Sequence, residues 1–287
     1  MAKIGIIGGS GLYEIEGLEN IEDITIIDTP FGQPSGHFVT GTFAGVDVVF
    51  LSRHGKGHKI SPSCINYRAN IFEMKKFGVD AILSVSAVGS LKEEIKPLDF
   101  VVPDQFIDRT NRCRQASFFN ETIVAHAPFA HPIDNKLSKI LVNSAKKSGA
   151  IVHTGGTYVN MEGPQFSTKA ESNLYRSWGM DIIGMTNMTE AKLAREAEIA
   201  YATLAAVTDY DCWHPDHDSV TIDMILDNLN KNVSKAKEIL KLAIPEAGKI
   251  DKFDASDALK CAIATDVYVI SEEIKRKYKV LIEKYIK

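Results

Sequence analysis

No segment of this 287-residue chain offers the roughly 18 consecutive apolar residues that a membrane-spanning helix needs. Nor does a surplus of positive charge mark it as a partner of a polyanion. Its 33 Lys and Arg stand against 37 Asp and Glu, and no stretch interleaves basic with aromatic residues as a nucleic-acid groove would. Cys64, Cys113, Cys212 and Cys261 lack the CxxC spacing of a zinc or redox centre, so reduced thiols are expected. The signature of a signal peptide is missing as well: Met1-Ala2-Lys3 runs straight into Ile4-Gly5-Ile6-Ile7, which predicts a cytoplasmic protein. There is no internal repeat and no low-complexity linker. What remains is an ordinary globular composition, 45% hydrophobic and 24% charged, able to bury a sizeable core.

Short β-branched runs predict strands at Ile4 to Ile7, Ile24 to Ile27, Val46 to Leu51, Ala81 to Val85, Phe100 to Val102, Asp181 to Met185 and Ile199 to Val207. Between them, apolar residues three and four apart predict helices at Asn66 to Phe77, Lys136 to Lys147, Thr168 to Trp178, Thr189 to Glu196 and Ile222 to Ile239. Alternation of the two implies an α/β fold. The strand at Val46 follows another directly across Gly45, so hairpins and a mixed sheet are expected rather than a purely parallel one. The expected organisation is a single domain over 1–287 with a charged, amphipathic helical tail from about residue 251, packed on the domain or on a second subunit.

Three loops carry groups that bind anions. The first strand ends in Gly8-Gly9-Ser10-Gly11, where main-chain N–H groups can close on an anion and Ser10 adds a hydroxyl; taken alone, this reads more readily as a tight turn. It is not a dinucleotide fingerprint, since Glu14 stands where the last glycine belongs, and it lacks the lysine of a P-loop. The strand at Val46 to Leu51 ends in Ser52-Arg53-His54-Gly55-Lys56-Gly57-His58. Arg53 there can grip a phosphate through two N–H groups or serve as a salt-bridged surface residue. The run Ser84 to Ser90 reads as a third strand end with small, hydroxyl-bearing residues, or as a packed turn. Strand ends of an α/β sheet converge where such folds bind ligands, so the three together favour a phosphate site.

A second constellation follows the strand ending at Val207: Thr208-Asp209-Tyr210-Asp211-Cys212-Trp213 places two carboxylates after a buried strand, where burial hinders ionisation and suits a general acid. TDYDCW, with IGIIGGSGLY, SRHGKGH, MEGPQFS and GMTNMTE in this order, resembles the methylthioadenosine phosphorylases of the purine nucleoside phosphorylase superfamily over residues 3 to 245.

The resemblance implies a central mixed sheet flanked by helices and a homotrimer or dimer of trimers. It also implies an activity of purine and methionine salvage: phosphate-dependent cleavage of S-methyl-5'-thioadenosine, with inorganic phosphate as co-substrate and neither cofactor nor metal. It assigns Ser10, Arg53, His54, Ser86, Ala87 and Thr186 to phosphate, Met185 to the ribose and Phe166 to stacking on the purine. Asp209 and Asp211 fall to purine recognition, Ser167 and Ile222 to specificity, and His58 with His126 of a neighbouring subunit to the border of the 5' pocket. By their own chemistry alone, Met185 and Phe166 read as core residues. Asp209 stands where members selecting 6-oxopurines carry asparagine, which favours a 6-aminopurine. The alternatives are a broader phosphorylase acting on adenosine or inosine, a nucleoside-binding module without catalysis, and a metal-binding protein built on His214-Pro215-Asp216-His217-Asp218, a cluster that reads more readily as solvated surface.

Overall fold

The computed structural model describes residues 1–9, 12, 14–111, 113–119, 122–215 and 222–286, without the side chains of 222–226. Its eleven strands are β1 (Ile4–Gly8), β2 (Leu18–Ile24), β3 (Phe38–Phe43), β4 (Val46–Ser52), β5 (Ala81–Ser90), β6 (Phe100–Val102), β7 (Gln105–Arg109), β8 (Val152–Thr154), β9 (Thr157–Met161), β10 (Ile182–Gly184) and β11 (Ala200–Asp209). The helices are α1 (Tyr67–Lys76), α2 (Asn135–Lys147), α3 (Lys169–Ser177), α4 (Asn187–Glu196), α5 (Ile222–Gly248) and α6 (Glu272–Ile282). All strands join one mixed sheet in the order β2-β3-β4-β1-β5-β10-β9-β7, with β11, β6 and β8 branching from β5. This is the expected α/β fold with a central mixed sheet flanked by helices.

β1 and β11 are buried along their whole length because both of their faces are covered, and both are mostly apolar. α4 and α5 both lie against β11, while α1 packs on α4 and α2 on α5. The main core runs without interruption from Ala2 to Ile286. A smaller one, of Leu91, Val159, Tyr175, Met180, Ile183, Tyr210 and Trp213, sits beneath α3. Helix α3 is held at both ends. Thr168 and Glu171 form a capping box at its start, and the turn after Trp178 closes on Gly179, whose φ of 80° lies in the left-handed region that favours glycine.

The tail packs on its own chain: Leu259, Ile270, Tyr278 and Leu281 belong to the main core, and Ala125 pairs with Ile263. Two strand expectations need correction. Ile24 to Ile27 is not a strand; the pairing segment is Leu18–Ile24, and Ile27 is exposed. The run Ser84 to Ser90 is not a strand end either, since β5 continues through it to Ser90.

Candidate active site

β5 changes partners along its length, and that switch opens the site. Ala81 to Ser84 pair with β1 on one edge, while β11 follows the other edge from Ala81 to Gly89. On the first edge the next partner, β10, starts only at Gly89. Residues 85 to 88 therefore have no strand beside them on that edge. Val85 turns its carbonyl there and accepts from Arg53 Nη1 at 3.0 Å, so the two-residue alternation of a strand turns the N–H of Ala87 the same way. Ala87 is exposed within an otherwise buried strand, and the buried Ser86 hydroxyl, beside the Tyr158 phenol, makes no well-aligned hydrogen bond among the described residues. Buried hydroxyls of this kind are ordinarily satisfied, by a ligand if not by protein.

Around this gap lie Arg53 and Thr186 of the expected phosphate set, beside Ser86 and Ala87 of β5 itself. Ser52 of β4 pairs with Gly8 of β1, and the N–H of Arg53 donates to Gly8 O at 2.9 Å. Thr186 comes from the far side, as the residue preceding α4. Its side chain makes no cap bond, and of the first N–H groups of α4 that of Met188 donates to Asn160 Oδ1 at 3.0 Å. Ser10 lies outside the described residues.

Arg53 is not the surface residue that its position after a strand allows; it is 3% exposed. Its guanidinium forms a two-pronged ion pair with Glu190, in which Nε donates to Oε1 and Nη2 donates to Oε2 at 3.0 Å. Nη2 also donates to Ser84 Oγ at 2.6 Å. Burial would by itself lower the pKa of Arg53, but the Glu190 carboxylate reverses this and raises it above its usual value. The second hydrogen of Nη1 has no acceptor among the described residues. A free two-pronged grip is thus replaced by one available N–H on a charge that Glu190 already balances.

Behind the pair lies a buried polar network. Tyr201 donates to Glu190 at 2.8 Å, and Asn187 donates to Tyr201 Oη and Thr203 Oγ1, both at 2.8 Å. Asn187 in turn accepts from Tyr158 at 3.0 Å and from Thr186 at 3.2 Å. Gly184 makes room for Tyr158, since a Cβ there would come within 1.9 Å of the phenol oxygen. Gly184→Ala should therefore lose about 1–3 kcal/mol of stability, read as a lower urea midpoint; a midpoint equal to the native one would show that Tyr158 moves aside freely.

His54 is half-buried and donates from Nδ1 to Ile60 O at 2.8 Å, which leaves Nε2 as an acceptor. Burial first and the neighbouring Arg53 cation second bring its pKa down to about 4, so it is neutral at pH 7. His58 stacks on it with ring centres 4.1 Å apart. His126 is exposed and ties its N–H to Ala262 O.

The acidic pair stands at the end of β11. A register shift between Val207 and Asp209 brings Asp209 opposite Gly89, and a Cβ on Gly89 would come within 2.9 Å of Asp209 Oδ1. From α5, Asn232 and Asn228 donate to the carbonyls of Val207 and Thr208 and hold this irregularity. Asp209 Oδ1 accepts from the N–H of Asp211 at 2.8 Å, and Oδ2 lies 2.6 Å from Thr208 Oγ1. Thr208 has one hydroxyl hydrogen and a second acceptor, Val88 O, at 3.2 Å. A protonated Asp209 donating to Thr208, which then donates to Val88, satisfies both contacts. Burial raises the Asp209 pKa, partly offset by the donors of Thr208 and Asp211 and reinforced by the Asp211 charge.

Asp211 sits in the left-handed region at φ 53°, uncommon for a residue with a side chain. Burial raises its pKa too, against the nearby Ser172 and the Cys212 N–H. Its Oδ2 and the hydroxyl of Ser172 are both buried and have no partner in hydrogen-bond alignment among the described residues. Trp213 anchors the turn by donating to Ser90 O at 2.8 Å, with Arg176 3.5 Å above its ring.

Phe166 is 49% exposed, so it is not the core aromatic that its type alone suggests. Ser167 behind it is buried, its carbonyl accepting from Cys212 Sγ. Met185 is half-buried between β10 and α4. The side chain of Ile222 lies outside the described residues, as do Asp216, His217 and Asp218. His214 faces Glu93 at 3.3 Å and stacks on Tyr210. Among the described residues no three ligating side chains cluster, and all four cysteines are unpaired. The residues that reading the chain missed are Glu190, Asn187, Tyr201 and Asn228. Glu190 and Asn187 lie within GMTNMTE, but nothing in that motif points to Arg53.

Comparison with known proteins places the chain in a family. The sequence pattern of the Phosphorylase superfamily matches residues 3–245. An S-methyl-5'-thioadenosine phosphorylase from Koribacter versatilis is 54% identical over 284 residues, 99% of this chain and 97% of its own length. The crystal structure of a methylthioadenosine phosphorylase from an antarctic soil metagenomic library superposes with a TM-score of 0.93 at 49% identity, covering 98% of this chain and 99% of that one. A variant of the adenosine/methylthioadenosine phosphorylase of Schistosoma mansoni, solved with adenine, superposes with a TM-score of 0.81 at 35% identity, covering 99% of this chain and 98% of that one. With the matched pattern spanning most of the chain and close relatives along nearly all of it, the protein belongs to the phosphorylase superfamily and, within it, to the methylthioadenosine phosphorylase family.

Proposed function

We propose that the protein is a pentosyltransferase that cleaves S-methyl-5'-thioadenosine with inorganic phosphate, releasing adenine and 5-methylthioribose 1-phosphate. The observation that carries this reading is the juxtaposition of two buried carboxyl groups of raised pKa, Asp209 and Asp211, with the unpaired edge of β5.

Breaking an N-glycosidic bond leaves positive charge on the sugar and negative charge on the departing base. Phosphate on the Ala87 N–H, the Ser86 hydroxyl, the remaining Arg53 N–H and the start of α4 would lie under the sugar, stabilise the cation and attack the anomeric carbon with inversion. His54, neutral and accepting at Nε2, suits a phosphate oxygen that still carries its proton. Protonated Asp209 would turn its proton from Thr208 to N7 of adenine, so that the base leaves neutral while Thr208 donates back to the carboxylate. Oδ2 of Asp211, near Ser172 but without an aligned donor, would accept from the exocyclic amine, while Phe166 stacks on the ring and Met185 meets the ribose. No cofactor enters this scheme.

The test is direct. Purified protein should release adenine from methylthioadenosine only when phosphate is supplied, with adenosine and inosine as slower substrates. Equal release without phosphate would identify a hydrolase, and equal rates on inosine would indicate the broader phosphorylase. A homotrimer or dimer of trimers is the proposed assembly, to be checked by light scattering; Ile107, Leu174 and Trp178 are exposed apolar groups that a second copy would cover. The unpaired thiols suit the cytoplasm, and no described helix is long and apolar enough to cross a membrane.

A further inference from the structure

The segment after β7 is irregular, and Asn111, Cys113 and Gln115 in it are exposed. Arg114 is buried although Cys113 and Gln115 on either side are exposed. Its guanidinium joins groups distant in sequence: Nε donates to Glu162 Oε1 at 2.8 Å, Nη2 to the Glu162 carbonyl, and Nη1 to both the Met185 carbonyl and, at 3.2 Å, Tyr67 Oη. The Glu162 carboxylate is anchored in turn by Ser63 Oγ at 2.5 Å and the Asn111 N–H at 3.0 Å. Burial would raise the pKa of Glu162, but these donors hold it at about 2, so it is charged at any working pH.

Arg114 thus ties the loop that leads to Phe166 directly to the turn that carries Met185. The two segments already touch, for a Cβ on Gly163 would come within 2.5 Å of Met185 Sδ. Lysine, with a single point of donation, cannot reach two carbonyls and a carboxylate from one planar fork.

We propose that Arg114 is a positioning residue for the nucleoside half of the site, setting the distance between the purine-stacking loop and the ribose-contacting turn. This rests on the reading above that Phe166 and Met185 hold the nucleoside. Among the described residues Arg114 has no hydrogen bond to Arg53, Ser86 or Ala87 and reaches Thr186 only through the Met185–Thr186 peptide, so phosphate binding should respond less than nucleoside binding.

In Arg114→Lys, KM for methylthioadenosine and Kd for adenine should both rise on the order of 10²-fold, while KM for phosphate stays within about threefold. Unchanged nucleoside values, or nucleoside and phosphate KM rising together, would overturn the proposal. If the lysine variant does not fold, Ser63→Ala carries the test. Losing one donor to Glu162 should weaken adenine binding roughly threefold to tenfold, and unchanged binding overturns the idea. Adenine binding to the unaltered enzyme separates the two readings. Binding without phosphate-dependent cleavage removes the proposed reaction and leaves Arg114 judged on Kd alone; no binding removes both.

Discussion

Asp209→Asn should lower kcat/KM for methylthioadenosine by about 10²–10⁴-fold, the usual worth of a positioned general acid. The side chain keeps its size, and an asparagine can still accept from the Asp211 N–H and donate to Thr208 Oγ1, so the local bonding survives. What disappears is the proton for N7. The native enzyme should lose activity as pH rises through the raised Asp209 pKa, and this alkaline limb should be missing from the variant. Stability should move the other way. A carboxyl whose pKa is raised by folding adds stability below its unfolded value and loses that contribution as pH climbs through the folded one. At neutral pH the permanently neutral asparagine should therefore melt higher than the native enzyme, with the gap closing in acid. Lost activity with a lower melting temperature at pH 7 would mean that Asp209 is a structural carboxylate and not the acid.

Glu190→Ala should cost about 3–5 kcal/mol of folding stability, because it strands the guanidinium of Arg53 in the core without its counter-charge. With a whole fold worth only about 5–15 kcal/mol, the urea midpoint should fall steeply. The double variant Arg53→Met, Glu190→Leu removes both charges and should recover most of that stability while leaving the enzyme inactive. Recovery of stability and activity together would show that Arg53 has no part in holding phosphate. A single variant as stable as the native protein would show that water reaches the pair, contrary to its 3% and 2% side-chain exposure.

Much of this site is legible along the chain because its parts are local. The end of β4, the small residues of β5 and the carboxylates after β11 each occupy a few consecutive positions, and strand-to-loop junctions of an α/β sheet gather at one edge. Helices α1 to α4 are legible for the same reason, α1 to α3 from capped starts and apolar spacing and α4 from apolar spacing alone. β8, with three residues, and β9, with five, are too short for alternation to separate them from the Gly155-Gly156 turn between them. The extension of β5 past Val85 escapes notice because Ser, Ala and Gly carry little strand preference; pairing to β11 keeps it straight.

The amino-acid order by itself determined the α/β class, the family resemblance and which residue types end the strands at the site, since these depend on neighbours in the chain. Only the tertiary structure decided what those residues do to one another. Arg53 is neutralised by Glu190, 137 positions away, and the unpaired edge of β5 exists because β1 stops beside β5 before β10 begins. Asp209 and Asp211 become acids of raised pKa because packing excludes water from them. Pairing and desolvation act through space between segments that the chain keeps apart, and no local pattern of residues encodes them.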